Sequence, residues 1–204
     1  MPISVPRVFC YKLVRDYGFA PNPFHGFCTL GTCKPQIRDS AAVGDLIIGL
    51  GARTGPVSER IIYTMKVDEI LSFDEYWNDQ RFERKKPDFY SGRYHAFGDN
   101  IYHRGPEGHW IQSDSHHSLE DGFINNLNLD RDTHSERVLI STNFVYWGDQ
   151  AIPIPHQFRN FNGDDIFPDG RYHRCLFAPP LVTALHAWFD AIPYRGIRGM
   201  PNDR

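Results

Sequence analysis

Hydrophobic positions in this chain come in short runs separated by polar, glycine- and proline-bearing stretches. VPRVFCYKLV (Val5–Val14) is rich in β-branched and aromatic residues and predicts a strand near the start, with Pro6 confining its first residues to an edge. KPQIRDSAAV (Lys34–Val43) predicts a short helix, with Pro35 suited to the first helical position and Gly44 ending it. The continuous apolar run DLIIGL (Asp45–Leu50) predicts a strand buried on both faces, where Gly49 and Gly51 permit close backbone approach. RIIYTMKVDEI (Arg60–Ile70) follows as its partner strand. SFDEYWND (Ser72–Asp79) pairs a capping box, Ser72 with Glu75, with Phe73, Tyr76 and Trp77 at helical spacing.

From Gln80 to Asp132 the pattern weakens into loops and short extended pieces with no helical period. VLISTNFVYW (Val138–Trp147) predicts two strands with a turn near Ser141–Asn143. Between Pro180 and Ile192, Leu181, Leu185, Trp188, Phe189 and Ile192 form one helical stripe, which predicts a C-terminal amphipathic helix packed on a sheet. The basic tail YRGIRGMPNDR is expected to be frayed or draped over the surface. With no repeat and no linker, residues 1–204 read as a single domain of α+β, mostly β, class.

Composition narrows the partners. The net charge is −3, so no overall positive field draws the chain to nucleic acid, and any such contact is local. The N-terminus lacks a signal peptide's apolar core and no window is apolar enough for a span, which places the protein in the cytoplasm and predicts no membrane partner. In that compartment Cys10, Cys28, Cys33 and Cys175 are expected as reduced thiols.

The stretch DYGFAPNPFHGFCTLGTCKP (Asp16–Pro35) has no period that would bury a regular face, so it is either a long surface loop or a built site. His25, Cys28 and Cys33 could supply metal ligands from one loop. They lack a fourth ligand of recognisable spacing, so ordinary thiols are the favoured reading and no metal or cofactor is predicted. His95, His103, His109, His116, His117 and His134 cluster in the irregular middle with Asp99, Asp114 and Asp132, residue types suited to metal or acid–base chemistry. No metalloprotease-type motif or serine elbow accompanies them, and solvated loop histidines are the simpler account. RFERKKPD (Arg81–Asp88) is a charge run that reads as solvated surface or a phosphate-contacting patch. Aromatic residues with polar tips concentrate in or beside loops, among them Tyr17, Phe97, Tyr102 and Trp110, where a base could stack while amides and carboxylates read its edge.

Residues 20–51 (APNPFHGFCTLGTCKPQIRDSAAVGDLIIGLG), with FGDNIYH, WIQSDSHHS and RVLISTNFVYWG further on, resemble the nucleotide modification associated domain 2 family of bacterial and phage proteins. The resemblance implies a setting in DNA modification, in phages or bacterial defence systems, without fixing a reaction. At fold level, the short helix running into VGDLIIGLGA and the next strand are similar to PUA-like domains of the EVE, YTH and ASCH type. That similarity implies a small β-barrel with flanking short helices that holds a modified or flipped base.

Three functions follow as expectations. The leading one is a module binding a modified nucleobase or nucleotide, free or within DNA, in a pocket lined by Asp16, Asn22, His25, Asp99, Asn100, Tyr102, Trp110, Gln112, Ser115 and His116. The second is an enzyme acting on a nucleobase or nucleotide by hydrolysis or group transfer, with Asp16 or Asp99 as base and His25 or His116 as acid or ligand. The third is a scaffold that recruits a DNA-modifying enzyme.

Overall fold

The computed structural model describes residues 6–170 and 172–203; Val5, at the start of the first predicted strand, lies outside them. The chain divides into two compact units. The first comprises Met1–Asp16, Ala41–Asp68 and Ser141–Arg204, and the second Tyr17–Ser40 and Glu69–Ile140.

The first unit is built on a six-stranded mixed sheet. Val8–Leu13 pairs in parallel with Leu46–Gly51, which pairs antiparallel with Arg60–Lys66, followed by Phe144–Tyr146 and Gly196–Ile197; Ile152–Pro153 also pairs with Arg60–Lys66. Every residue of Leu46–Gly51 is buried, as its uninterrupted apolar run requires. Helix Pro179–Asp190 lays Leu181, Leu185 and Phe189 into one core with Val8, Cys10, Ile48 and Leu50, so the predicted stripe does cover the sheet.

Glycines at the centre of this sheet answer to space. Gly49 lies opposite Tyr63, and a Cβ there would sit 2.2 Å from the Tyr63 ring and 2.5 Å from the Leu13 side chain. Tyr63 is fully buried and its hydroxyl lies 2.8 Å from that of Tyr11, so the ring has no free direction in which to retreat.

The second unit holds two smaller sheets. One orders Cys28–Leu30, Arg137–Ser141 and Glu69–Ser72, and the other is the hairpin Tyr102–Arg104 with Trp110–Gln112. Helix Phe73–Asn78 begins at the predicted capping box, with both Ser72–Glu75 hydrogen bonds formed. Phe19, Phe73, Tyr76, Phe82, Tyr102 and Val138 share its core.

Three expectations are corrected. No closed barrel forms among the described residues: the main sheet runs along an open path from Val8–Leu13 to Gly196–Ile197. At the outer edge of Val8–Leu13 an isolated bridge joins Cys10 and Arg174. The strand predicted over Arg60–Ile70 breaks in two because the Asp68 carboxylate turns to accept hydrogen bonds from Thr142 N, Thr142 Oγ1 and Asn143 N. The tail is anchored rather than frayed. Gly196–Ile197 joins the sheet, Asp149 N donates to Met200 O, and Asn202 Nδ2 donates to the Asp16 carboxylate.

Gly49→Ala is expected to lower unfolding stability by about 1–3 kcal/mol, the usual cost of overpacking a filled core. Urea unfolding checks this; a midpoint equal to that of the unsubstituted protein would show that Tyr63 and Leu13 can give way.

Candidate active site

The second unit gathers one thiol, one imidazole and one carboxylate from three separate segments. Cys33 precedes the short helix Pro35–Ser40, and Cys33 and Lys34 both have left-handed backbone, at φ 56° and 43°. Two successive non-glycine residues hold that conformation only where their surroundings impose it. Here Cys33 N donates to Asp132 Oδ1 at 3.0 Å, and Arg38 Nε donates to Cys33 O at 2.8 Å. His117 follows the hairpin strand Trp110–Gln112, and its backbone N–H donates to Ser115 Oγ. Asp132 sits in the last turn of helix Asn126–Thr133, whose N-terminus is capped by the Asn125 side chain.

The three side chains are in line. His117 Nε2 lies 3.7 Å from Cys33 Sγ, and His117 Nδ1 lies 2.8 Å from Asp132 Oδ2. A carboxylate only accepts, so Asp132 holds the Nδ1 proton and leaves Nε2 facing the sulfur. Both Asp132 oxygens are fully engaged. Oδ1 accepts from Cys33 N and Arg131 Nε, and Oδ2 accepts from His117 and from Tyr102 Oη at 3.0 Å.

This saturation bears on metal binding. The atoms of Cys33, His117 and Asp132 are close enough to share an ion. An ion would have to displace donors from a carboxylate that has no free lone pair, beside the Arg131 guanidinium. The donor set therefore fits orientation of an imidazole better than metal ligation.

Charge supports the same arrangement. Burial opposes a charged His117, but hydrogen bonding to Asp132 and Cys33 outweighs it and raises the imidazole to about 9. Burial likewise opposes the Asp132 carboxylate, and its contacts with His117 and Arg131 win, holding it at about 2. Arg131 Nη2 also lies 4.0 Å from Cys33 Sγ, which adds positive charge beside the sulfur.

The residues predicted as pocket lining fall into several groups. Asp16, in the first unit, is buried and accepts from Tyr146 Oη at 2.6 Å and from Asn202. Asn22, Asp99 and Asn100 lie in a buried network of the second unit. Asp99 accepts from Thr29, Gly31 N and Tyr76 Oη, and the Lys85 ammonium donates to Asn22, Phe27 O and Thr29. Burial pushes the Asp99 carboxyl up and the Lys85 amine down to about 8. Asn100 donates to Tyr76 O and Phe82 O. Trp110 stacks beneath the Arg104 guanidinium.

His25 stands against His95 with ring centres 4.8 Å apart, and burial together with Lys85 and Arg84 lowers it to about 4. Cys28 is buried in its strand, and His25, Cys28 and Cys33 are not brought together as a metal cluster among the described residues.

Tyr102, Gln112 and Ser115 instead support the triad: Tyr102 bonds Asp132, Gln112 bonds Tyr102 Oη and His117 O, and Ser115 accepts from His117 N. His116 stands one residue from the triad histidine, against Tyr17, Phe19 and Phe97.

Sequence reasoning did not assign the nucleophile–base pairing, nor the parts of Arg38 and Arg131. The available signal was a loop cysteine with histidine and aspartate elsewhere in the chain, which carries no spacing because the partners meet only in the fold.

The fold and site thus define a protein with a thiol–imidazole–carboxylate centre. The nucleotide modification associated domain 2 family model matches residues 5–204, and the chain belongs to that family. It is accordingly associated with nucleotide modification. No curated protein and no solved structure matches it. Among the described residues, no helix is long and apolar enough to cross a membrane.

Because its folded-state pKa of about 9 lies above the ordinary 6.5, the His117 interaction stabilises the fold fully below 6.5, and that contribution is lost as pH rises through about 9. Urea unfolding from pH 6 to 10 is expected to show this loss, and Asp132→Asn to move it toward the ordinary histidine range; an unshifted transition would separate His117 from Asp132. Asp132→Ala, which strands four donors, is expected to cost about 3–5 kcal/mol.

Proposed function

We propose that the protein is an enzyme of nucleotide modification that works through a covalent intermediate on Cys33, in an acyl-transfer reaction. The observation that carries this reading is the alignment of Sγ, the His117 ring and the Asp132 carboxylate, with Nε2 at 3.7 Å from sulfur and Nδ1 at 2.8 Å from oxygen. A nucleophile within reach of a base that is itself oriented by a third group is recognised by geometry and roles rather than by fold.

With His117 raised to about 9 and so charged near neutral pH, the sulfur's proton already rests on Nε2, and in the first step Sγ bonds to the carbonyl carbon of an amide, ester or thioester while the carbonyl π pair moves to oxygen. As the tetrahedral adduct collapses, the bond to the leaving group breaks and Nε2 returns the proton to that group, leaving a thioester on Cys33. Water, an amine or a hydroxyl then attacks the thioester. His117 takes the incoming proton and gives it back to sulfur as the acyl group departs. Asp132 holds the imidazole in the required tautomer throughout, and Arg131 attracts negative charge to the sulfur.

The base-capturing module considered from sequence would need Asn22, Asp99 and Asn100 to face a ligand, whereas Asn22 and Asp99 spend their hydrogen bonds internally and Asn100 is buried with its amide N–H groups on Tyr76 O and Phe82 O. The reacting carbonyl is best sought on a nucleobase substituent or on a group destined for one, given the family.

Iodoacetamide at pH 6.5, followed by peptide mapping, tests the nucleophile. Cys33 is expected to alkylate roughly ten- to a hundredfold faster than Cys175, an advantage lost in His117→Ala. Equal rates at the two cysteines, or a Cys33 rate indifferent to His117, would overturn the assignment. Incubation with p-nitrophenyl acetate should in addition leave a hydroxylamine-labile acetyl group on Cys33; stable labelling elsewhere alone would remove the acyl-transfer reading.

A further inference from the structure

The second unit also presents aromatic surface that neither its core nor the triad uses. Phe89 is 52 % exposed and the adjacent Tyr90 fully exposed at 101 %. These rings stand on a pinned loop. Asp88 accepts from Tyr90 N at 2.9 Å and from the Ser91 backbone and hydroxyl, and Asp88 N donates to His95 O. Large rings held in water by a fixed turn mark an interaction surface.

The loop separates two clefts. One, of about 500 Å³, has Phe89, Phe97 and His116 as aromatic wall and Asp114, Ser115 and Glu120 as polar lining. The other, of about 400 Å³, is lined by Glu83, Arg84, Lys86, Asp88, Ser91 and His95. Arg84 is exposed, and among the described residues it holds no carboxylate, whereas neighbouring Arg81 and Lys86 are engaged by Glu69, Asp79 and Glu83.

The two clefts differ in what they would accept. Carboxylates in the aromatic cleft accept hydrogen bonds from exocyclic amino groups of bases, and flat rings give stacking area. In the other cleft Asp88 is held by Tyr90 and Ser91 and Glu83 by Lys86, which leaves the Arg84 guanidinium for a phosphate. Exposed rings on the ridge between them suit neighbouring bases.

We propose that this face binds single-stranded nucleic acid, with an amino-bearing base in the Phe97–His116 cleft, bases against Phe89 and Tyr90, and a backbone phosphate at Arg84. A duplex keeps its bases stacked inside and offers the ridge nothing to grip. A mononucleotide reaches only one cleft. The inference does not use the Cys33 chemistry and stands or falls separately from it.

Fluorescence anisotropy with a fluorescein-labelled mixed-sequence 12-nucleotide DNA tests it on the full chain. Binding is expected to be stronger than to the same sequence as duplex or to any mononucleotide. Tyr90→Ala and Phe89→Ala should each weaken it by about 5- to 100-fold, the range of a lost base stack. Arg84→Ala should reduce the slope of log affinity against log salt by about 0.7, one phosphate contact on a single strand. Tyr172→Ala, at a ring 82 % exposed in the first unit, should leave binding within about twofold. No binding of the 12-mer, binding no tighter than that of a mononucleotide or duplex, or affinity indifferent to Phe89 and Tyr90 would each overturn the proposal.

Discussion

The candidate active site depends on a buried arginine. Arg38 projects from the helix Pro35–Ser40 with no exposure to solvent, and its guanidinium donates to the carbonyls of Cys33, Asp132, Ser135 and Arg137. Burial lowers its pKa only to about 10, so at neutral pH it remains a cation. A cation sealed from water must find oxygen in every direction. Here those oxygens are the carbonyl ahead of the Pro35–Ser40 helix, the end of the Asn126–Thr133 helix and the start of strand Arg137–Ser141. One side chain thereby ties the backbone of Cys33 to the helix that carries Asp132. The helix end supplies unsatisfied carbonyls and the partial negative charge of its dipole, both of which a guanidinium offsets.

Two buried polar networks occur in the second unit, and their difference separates structure from function. Around Lys85 and Asp99, donors and acceptors close on one another: the ammonium meets oxygens of Asn22, Phe27 and Thr29, and the carboxylate meets Thr29, Gly31 and Tyr76. Asp99 and Lys85 are sealed from solvent, so that network fixes the loop Tyr17–Pro35 against its neighbours. Around Asp132 the carboxylate is equally saturated, but the chain of contacts continues through His117 to a sulfur that is only partly buried. A network that closes on itself holds a shape; one that ends on a sulfur near solvent is where the proposed chemistry is placed.

Sequence legibility followed the same division. Elements set by local pattern were readable: the capping box at Ser72, the all-apolar strand through Ile48, the stripe on the last helix. The helix Asn126–Thr133 was not, because it buries only Leu129 and Asp132 and leaves Leu127 in water, so no apolar period announces it. That helix carries the carboxylate on which the site turns. The loop Asp16–Pro35 was legible as a built segment, yet its cysteine's partners lie 84 and 99 residues away, beyond any spacing rule. His116 and His117 are adjacent in sequence and differ only in environment. Both pack against Phe19, but only His117 meets a carboxylate, a distinction that tertiary packing alone makes.

Adjacency of those two histidines also links recognition to chemistry. His116 lines the aromatic cleft while His117 faces Cys33. Their shared turn is fixed by Ser115, whose hydroxyl accepts from His117 N and whose backbone N–H donates to Ser118 Oγ. On the two proposals, a base stacked on His116 acts on a backbone whose next residue is the proposed proton carrier. Because reaction rates fall steeply when reacting groups are displaced by about 1 Å, a turn this short can make occupancy of the cleft a condition of productive alignment at sulfur.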